Sequence, residues 1–219
     1  STWLCDVSAV ILIEEAPDQN DVVRSITSAL PKNCAKRKEF IFLPEPGNAT
    51  VRSFNGAWKN LPLLKHIAHN RGNFDWFAFV DDDSFVVQSN LEFILETVVE
   101  TKVSPKTDAV AVGAVFTDGV TSFVQGGAGV FLSRAAIHKM IEVYRECFTN
   151  CLQWAGDIRM GCCYPRAGVR MMGMPTFSSM DFFHQLNNHH GVQFFTTFHQ
   201  LREASFIFAC FAAALPLPK

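Results

Sequence analysis

The sequence lacks the short patterns that identify several common functions. It has no C-x-x-C zinc pair, no H-E-x-x-H metalloprotease pattern and no G-x-G-x-x-G dinucleotide pattern. It also has no stripe of basic residues, and its net charge of −2 gives no indication of nucleic-acid binding. Internal repeats and low-complexity linkers are absent as well. We therefore expect residues 1–219 to form a single domain.

Long apolar runs are missing too. No signal peptide or membrane anchor is visible at the N-terminus, where Ser1 leads almost directly into a strand-like run. The apolar segment at residues 205–217 is too short for an ordinary membrane span. We favour a buried terminal segment over a membrane or processing signal there, and we expect the chain to be a trimmed region of a longer protein.

What the chain does contain is typical of a globular protein. Hydrophobic residues make up 48% and charged residues 18% of the chain, and the 21 Phe residues indicate an aromatic-rich core or groove. The seven Cys residues fit an oxidising compartment, although the odd number leaves at least one unpaired. Asn48 begins an N-x-T glycosylation pattern, which agrees with secretion but is common by chance.

Predicted strands alternate with predicted helices along the chain. Short runs of apolar and β-branched residues predict five strands, at residues 7–13, 39–43, 76–80, 109–116 and 192–198. Helical spacing and capping residues predict four helices. The first covers about residues 21–30, the second begins or is kinked by Pro62 near Asn60, the third follows an N-cap at Ser89, and the fourth covers residues 134–147 after an N-cap at Ser133. This alternation predicts an α/β sandwich with a mainly parallel central sheet flanked by helices.

Three consecutive aspartates, Asp81, Asp82 and Asp83, follow the apolar strand at residues 76–80. Because side chains alternate along a strand, Asp81 and Asp83 are expected to point the same way. Ligands of open α/β sheets gather beyond the carboxyl ends of strands, where two convergent carboxylates suit Mg²⁺ or Mn²⁺. The alternative is a polar turn with helix-capping aspartates. We favour the metal, because it offsets the repulsion between carboxylates and can bridge to a diphosphate.

A glycine-rich run occupies residues 125–133, with the sequence QGGAGVFLS. Gly126, Gly127 and Gly129 allow unusual backbone angles and the close approach of a ligand. The simpler interpretation is a tight turn before the helix that Ser133 caps. The run alone does not decide between the two.

Two further candidates lie in the last third of the chain. Asp157, within WAGDIRMGCC, can act as a general base in a partly apolar pocket, but its spacing alone favours an N-cap of the next helix. His199 is one of four histidines in this region, and any one of them is more often structural or exposed than a metal ligand. It stands out because it ends an apolar strand, as the aspartates do.

Taken in this order, the four stretches resemble the fringe and core-1 galactosyltransferase group of β-1,3-glycosyltransferases. WFAFVDDDSFVV looks like that group's strand ending in an aspartate triplet, and GGAGVFLSRAAIHKM looks like its glycine motif and following helix. GDIRMGCC is similar to its segment around the catalytic Asp, and TTFHQL to its late Phe-His. The resemblance covers nearly the whole chain, and four motifs in order are quite specific.

The resemblance implies a GT-A (Rossmann-like) fold, a UDP-sugar donor and Mn²⁺. It places Asp83 and His199 on the metal, and Asp81 and Asp82 near the ribose and diphosphate. It also implies a sugar-binding floor, which consists of Gly126, Gly127, Ala128 and Gly129.

The resemblance further makes Asp157 the base that deprotonates the acceptor hydroxyl, which reverses the preference for a cap. It implies a disulfide from Cys151 to Cys162 or Cys163 beside that base. The implied enzyme is an inverting hexosyltransferase of the β-1,3-galactosyl or N-acetylglucosaminyl type that acts on a glycan or glycoprotein. Its implied location is the Golgi or ER lumen, in a type II membrane protein.

Two other functions remain as alternatives. Gly156 stands where the family usually has an acidic residue, so a non-catalytic carbohydrate- or nucleotide-binding domain that keeps the fold is the main one. A metal-dependent phosphohydrolase or nuclease is the second, and the absence of further acidic clusters and of a basic groove argues against it.

Overall fold

The structure, a computed structural model, describes residues 10–14, 38–42, 59–70, 74–81, 84–153, 155–177 and 197–198. Its elements, in chain order, are β1 (Val10–Glu14), β2 (Lys38–Phe42), α1 (Asn60–Asn70), β3 (Trp76–Phe79), β4 (Phe85–Val86), α2 (Gln88–Phe93, continuing as a π-helical segment over Ile94–Val99), β5 (Val110–Gly113), β6 (Val115–Asp118), β7 (Thr121–Val124), β8 (Val130–Ser133), α3 (Arg134–Glu142), α4 (Tyr144–Asn150), α5 (Gly156–Ala167), β9 (Arg170–Gly173) and β10 (Thr197–Phe198). None of the helices in these ranges has the length and apolar character needed to span a membrane.

A four-stranded sheet in the order β3-β8-β5-β9 carries the site described below. β8 pairs antiparallel with both β3 and β5, and β5 pairs parallel with β9. The α/β class is therefore confirmed, but the prediction of a mainly parallel central sheet is confirmed only in part, because two of the three strand pairings in this sheet are antiparallel. The cause is the connection between β5 and β8, because a β6–β7 hairpin joins them instead of the helical crossover that parallel neighbours need.

Both faces of this sheet are buried. On one face Leu132 packs with α1, α3 and α5 around Leu64, Met140 and Tyr164. On the other face Phe131 packs with residues of α2 and its π-helical segment. Every residue of β5 and β8 is buried, which matches their continuous apolar sequences. The layered sandwich predicted from the sequence is present in the described residues.

The predicted elements differ from the observed ones mainly at their ends. β1 and β2 pair in parallel and lie within three residues of the strands predicted at 7–13 and 39–43. α1 begins at Asn60 as predicted. The predicted helix at residues 21–30 lies outside the described residues. The prediction of Ser89 as an N-cap is wrong, because α2 begins at Gln88 and its cap position is Val87.

Two long predicted elements are each divided in the structure. The helix expected over residues 134–147 ends at Glu142 and restarts at Tyr144, since the backbone of Val143 leaves the helical region with φ −104° and ψ 13°. The strand expected over residues 109–116 breaks at Gly113, whose φ is +155°. A Cβ at Gly113 would lie 2.5 Å from Val124 Cγ1, so the break depends on glycine.

Two disulfides join α4 and the residue after it to α5. Cys147 pairs with Cys163 and Cys151 with Cys162, with Cα–Cα separations of 5.3 and 5.7 Å. The pairing of Cys151 with Cys162 is one of the two alternatives that the resemblance implied, and the Cys147–Cys163 pair was not predicted. Both cystines are buried, so they fix the middle of α5 against its neighbour.

Ser133 forms a fully buried polar junction at the end of β8. Its hydroxyl accepts hydrogen bonds from the Ala136 N–H at 3.1 Å and the Val110 N–H at 3.0 Å, and donates one to the Asp108 carbonyl at 2.7 Å. The predicted N-cap of the helix that follows is confirmed, and the same side chain also ties β8 to the beginning of β5.

We expect Ser133→Ala to lower the free energy of unfolding by about 2–4 kcal/mol, since it removes a cap and leaves two buried backbone groups without partners. Urea denaturation measures the change. Ser104→Ala, at an exposed position, is the control and should change stability by less than about 0.5 kcal/mol. A Ser133 variant as stable as that control would contradict the assigned role.

Candidate functional site

The glycine-rich run forms a tight turn between β7 and β8. Within it, the Gly129 N–H donates to the Gly126 carbonyl at 2.8 Å, and the Ala128 N–H donates to Gln125 Oε1 at 2.6 Å. Gly129 has a φ of +83°, which favours glycine. Gly127, Ala128 and Gly129 are buried and Gly126 is half-buried. We call residues 125–129 the glycine turn.

Asp157 lies against one side of the glycine turn. It is in the first turn of α5 and is half-buried. Its Oδ2 accepts the N–H of Gly126 at 3.0 Å, and its Oδ1 accepts the N–H of Ile158 at 2.8 Å. The cap interpretation that spacing favoured is wrong, because the cap position is Ala155 and one oxygen of Asp157 binds a different segment of the chain.

The two remaining motif regions bind the carbonyls of the next two residues of the glycine turn. Ser84, one residue after the aspartate triplet, donates its hydroxyl to the Gly127 carbonyl at 3.0 Å. Thr197, two residues before His199, donates its hydroxyl to the Ala128 carbonyl. β4 and β10 pair antiparallel beside it, with Val86 opposite Thr197. Four motifs far apart in the sequence therefore meet at one turn.

The structure describes only some of the predicted site residues. Asp81 is exposed and follows β3, where its carbonyl accepts the Ser84 N–H at 3.1 Å in a turn. Asp82, Asp83 and His199 lie outside the described residues. Within the ranges that the structure does describe, no group of three or more His, Cys, Asp or Glu side chains is placed to hold a metal ion.

Sequence reasoning missed Ser84 and Thr197, whose hydroxyls join the glycine turn to its neighbours. Ser84 directly follows the triplet, but a single hydroxyl just before a short strand carries no pattern that predicts a partner 43 residues away. Thr197 is fully buried, and only its tertiary position shows that its hydroxyl has a carbonyl to bind.

Tyr164, two turns after Asp157 on α5, was also missed. Its side chain is fully buried, and its hydroxyl has no hydrogen-bond partner in the described part of the chain. Burial raises the pKa of the Tyr164 phenol, and the carboxylate of Asp157 raises it further. The phenol therefore stays protonated.

Comparison with known proteins gives agreeing results. The model of the Fringe-like family matches residues 2–209. The beta-1,3-glucosyltransferase of Mus musculus is 28% identical over 119 residues, which are 52% of this chain and 23% of that protein. The glycoprotein-N-acetylgalactosamine 3-beta-galactosyltransferase 1 of Xenopus laevis is 27% identical over 115 residues, which are 51% of this chain and 30% of that protein. The match therefore covers less than a third of each relative's length.

We expect Thr197→Val to lower the free energy of unfolding by about 1–3 kcal/mol, because it keeps the side-chain shape but leaves the buried Ala128 carbonyl without its donor. Thr107→Val, at an exposed position, is the matched control and should be nearly neutral. Thermal and urea unfolding of both variants measure the difference. Equal stability of the two would show that the Thr197 hydroxyl does not hold the glycine turn.

Proposed function

The chain belongs to the Fringe-like family, and from that membership we propose that it is an inverting glycosyltransferase that moves a sugar from a UDP-sugar to a glycan hydroxyl in a β-1,3 linkage. The observation that carries the proposal is the contact of the Asp157 carboxylate with the glycine turn. The names of both relatives, which are a beta-1,3-glucosyltransferase and a 3-beta-galactosyltransferase, support the same reaction.

Asp157 is the proposed general base. Its two oxygens have four lone-pair sites, and the N–H groups of Gly126 and Ile158 occupy two of them. The remaining sites can accept the proton of an acceptor hydroxyl. Because one of the bonds comes from the glycine turn, the carboxylate is held beside the surface on which we place the donor sugar. A base fixed in this way can meet the hydroxyl at hydrogen-bond distance.

In the proposed reaction, Asp157 takes the proton of the acceptor hydroxyl while the oxygen of that hydroxyl bonds to the anomeric carbon of the donor sugar. The bond from that carbon to the diphosphate oxygen breaks at the same time, and UDP leaves with the electron pair. Attack from the face opposite the leaving group converts an α-linked donor into a β-linked product. Gly126, Gly127, Ala128 and Gly129 provide the floor under the sugar, and Asp81 and Asp82 lie on the nucleotide side.

Asp83 and His199 are the proposed ligands of a divalent cation, with Mn²⁺ as the expected ion. A carboxylate oxygen and an imidazole nitrogen are a donor set that suits Mn²⁺. The proposal is supported by their neighbours in the chain: Ser84, which follows Asp83, and Phe198, which precedes His199, belong to the region beside the glycine turn. When bound, such a cation neutralises the charge of a diphosphate.

We expect Asp157→Asn to lower kcat by about 10²-fold or more, because the amide cannot take up the proton. Binding of UDP with Mn²⁺ should change by less than about twofold, since Asp157 acts on the acceptor side. UDP release with acceptor, and calorimetric titration of UDP, measure the two quantities.

Asp118→Asn is the matched control for this variant, because Asp118 is exposed at the β6–β7 turn. It should leave kcat unchanged. Transfer by Asp157→Asn at the rate of the Asp118 control would exclude Asp157 as the base.

We expect Asp83→Ala and His199→Ala each to abolish the Mn²⁺-dependent part of UDP binding, because each removes one ligand of the cation. UDP is titrated into the protein once with Mn²⁺ and once with EDTA. The difference between the two affinities is the Mn²⁺-dependent part of UDP binding. His69→Ala, at an exposed position near the end of α1, is the control. If UDP binding by the wild type does not depend on a divalent cation, the proposed metal site is wrong.

A non-catalytic carbohydrate- or nucleotide-binding domain is the second candidate. It is favoured by Gly156, which begins α5 and leaves Asp157 without the acidic neighbour that the family usually has. Mn²⁺-dependent UDP release with and without acceptor separates the two, because a binding domain releases none. A screen of UDP-galactose, UDP-glucose and UDP-N-acetylglucosamine in that assay also identifies the donor.

The lumen of the secretory pathway, Golgi or ER, is the proposed location. Two disulfides within a short stretch support it, because disulfides persist in oxidising compartments.

A further inference from the structure

Gly161 lies one turn after Asp157 on α5, so the two residues share a face of the helix. Asp157 meets Gly126 in the glycine turn, and Gly161 meets β7, the strand that leads into that turn. A Cβ at Gly161 would lie 2.5 Å from Phe123 Cβ, 2.6 Å from the Ser122 carbonyl oxygen and 2.9 Å from Phe123 Cα. The helix and the strand are therefore in backbone contact at this position.

Two of these three neighbours are main-chain atoms of β7, and the third is the first side-chain atom of Phe123. They cannot rotate away, in contrast to the end of a flexible side chain. Separations below 3.0 Å do not occur for real Cβ atoms, so any side chain at position 161 would force α5 and β7 apart.

The need for glycine here is not a need of the helix. In a helix interior, alanine is the most favourable residue and glycine is among the least favourable. The backbone of Gly161 is helical and requires no positive φ. Its missing side chain is useful only for the close approach to β7.

We propose that Gly161 is a positioning residue for Asp157: by letting α5 lie on β7, it sets the carboxylate at hydrogen-bond distance from the Gly126 N–H. The catalytic part of this inference rests on the proposed function of Asp157. The disulfides of Cys162 and Cys163 hold α5 just after Gly161. An added side chain is therefore relieved by displacement of the first turn of the helix, where Asp157 lies.

The test is Gly161→Ala, with the Gly126 amide as the direct reporter. Hydrogen exchange of that amide should rise at least about tenfold, because its acceptor moves away. In the same variant kcat should fall at least about tenfold while UDP affinity stays within about twofold, because only the base is displaced.

Gly173→Ala is the matched control. A Cβ there would lie 3.5 Å from Val115 Cγ2, which is ordinary contact, so exchange and kcat should match the wild type. Addition of Asp157→Glu to Gly161→Ala should recover part of the lost kcat, since the longer side chain reaches across the gap, whereas Asp157→Glu alone should lower kcat. A purely structural defect would not be rescued in this way.

The outcomes distinguish failure of the positioning role of Gly161 from failure of the proposed glycosyltransferase function. Gly161→Ala with wild-type exchange at Gly126 and wild-type kcat overturns the positioning role. A wild type that transfers no sugar overturns the proposed function, and the exchange comparison still decides whether Gly161 positions Asp157. If Gly161→Ala does not fold, Phe123→Gly is added to remove the nearest contact, and exchange is compared with Phe123→Gly alone. The Ser122 carbonyl oxygen and Phe123 Cα would still lie 2.6 and 2.9 Å from the added Cβ. Exchange should therefore stay higher in the double variant, and equal exchange in that pair also overturns the proposal.

Discussion

The hydrogen bond from the Gly126 N–H to Asp157 Oδ2 is the interaction on which the rest of the site depends. It spans 3.0 Å and joins two segments that are 31 residues apart in the chain. One segment is the glycine turn between β7 and β8, and the other is the first turn of α5. A shift of α5 by even one ångström would break the bond, so the packing of that helix controls the geometry of the site.

Four features hold α5 in place, and each acts on a different part of the helix. At its beginning, Arg159 Nε donates to the Gln153 carbonyl at 2.6 Å and fixes the segment that enters the helix. In its middle, Gly161 permits backbone contact with β7. Directly afterwards, two cystines join it to α4 and the residue after it. Further along α5, the fully buried side chain of Tyr164 packs in the core. Because these restraints hold the helix that carries Asp157, its carboxylate does not depend on a flexible loop for its position.

The sequence allowed prediction of the layers and of most element positions, because apolar periodicity reports burial directly. It did not allow prediction of strand direction, which depends on whether a hairpin or a helix connects two neighbours. The cap at Ser133 was predictable from a local pattern, whereas the bonds of Ser84 and Thr197 to the glycine turn were not, since each pairs residues more than forty positions apart. For Asp157, spacing alone favoured a cap, and the resemblance to a family supplied the alternative that the contact with Gly126 supports.

The Asp157 carboxylate and Asp81 lie in different surroundings near the glycine turn. The carboxylate of Asp157 accepts two backbone N–H groups, and it lies two helix turns before Tyr164, whose buried phenol stays protonated. Asp81 is exposed and adjacent in sequence to two more aspartates, and its carbonyl accepts the N–H of Ser84, which binds the glycine turn. In the proposed function, a diphosphate beside these aspartates adds further negative charge, which the carboxylates alone would repel. A cation beside the aspartates would offset that repulsion, and this is why the proposal assigns the cation to them and the proton transfer to Asp157.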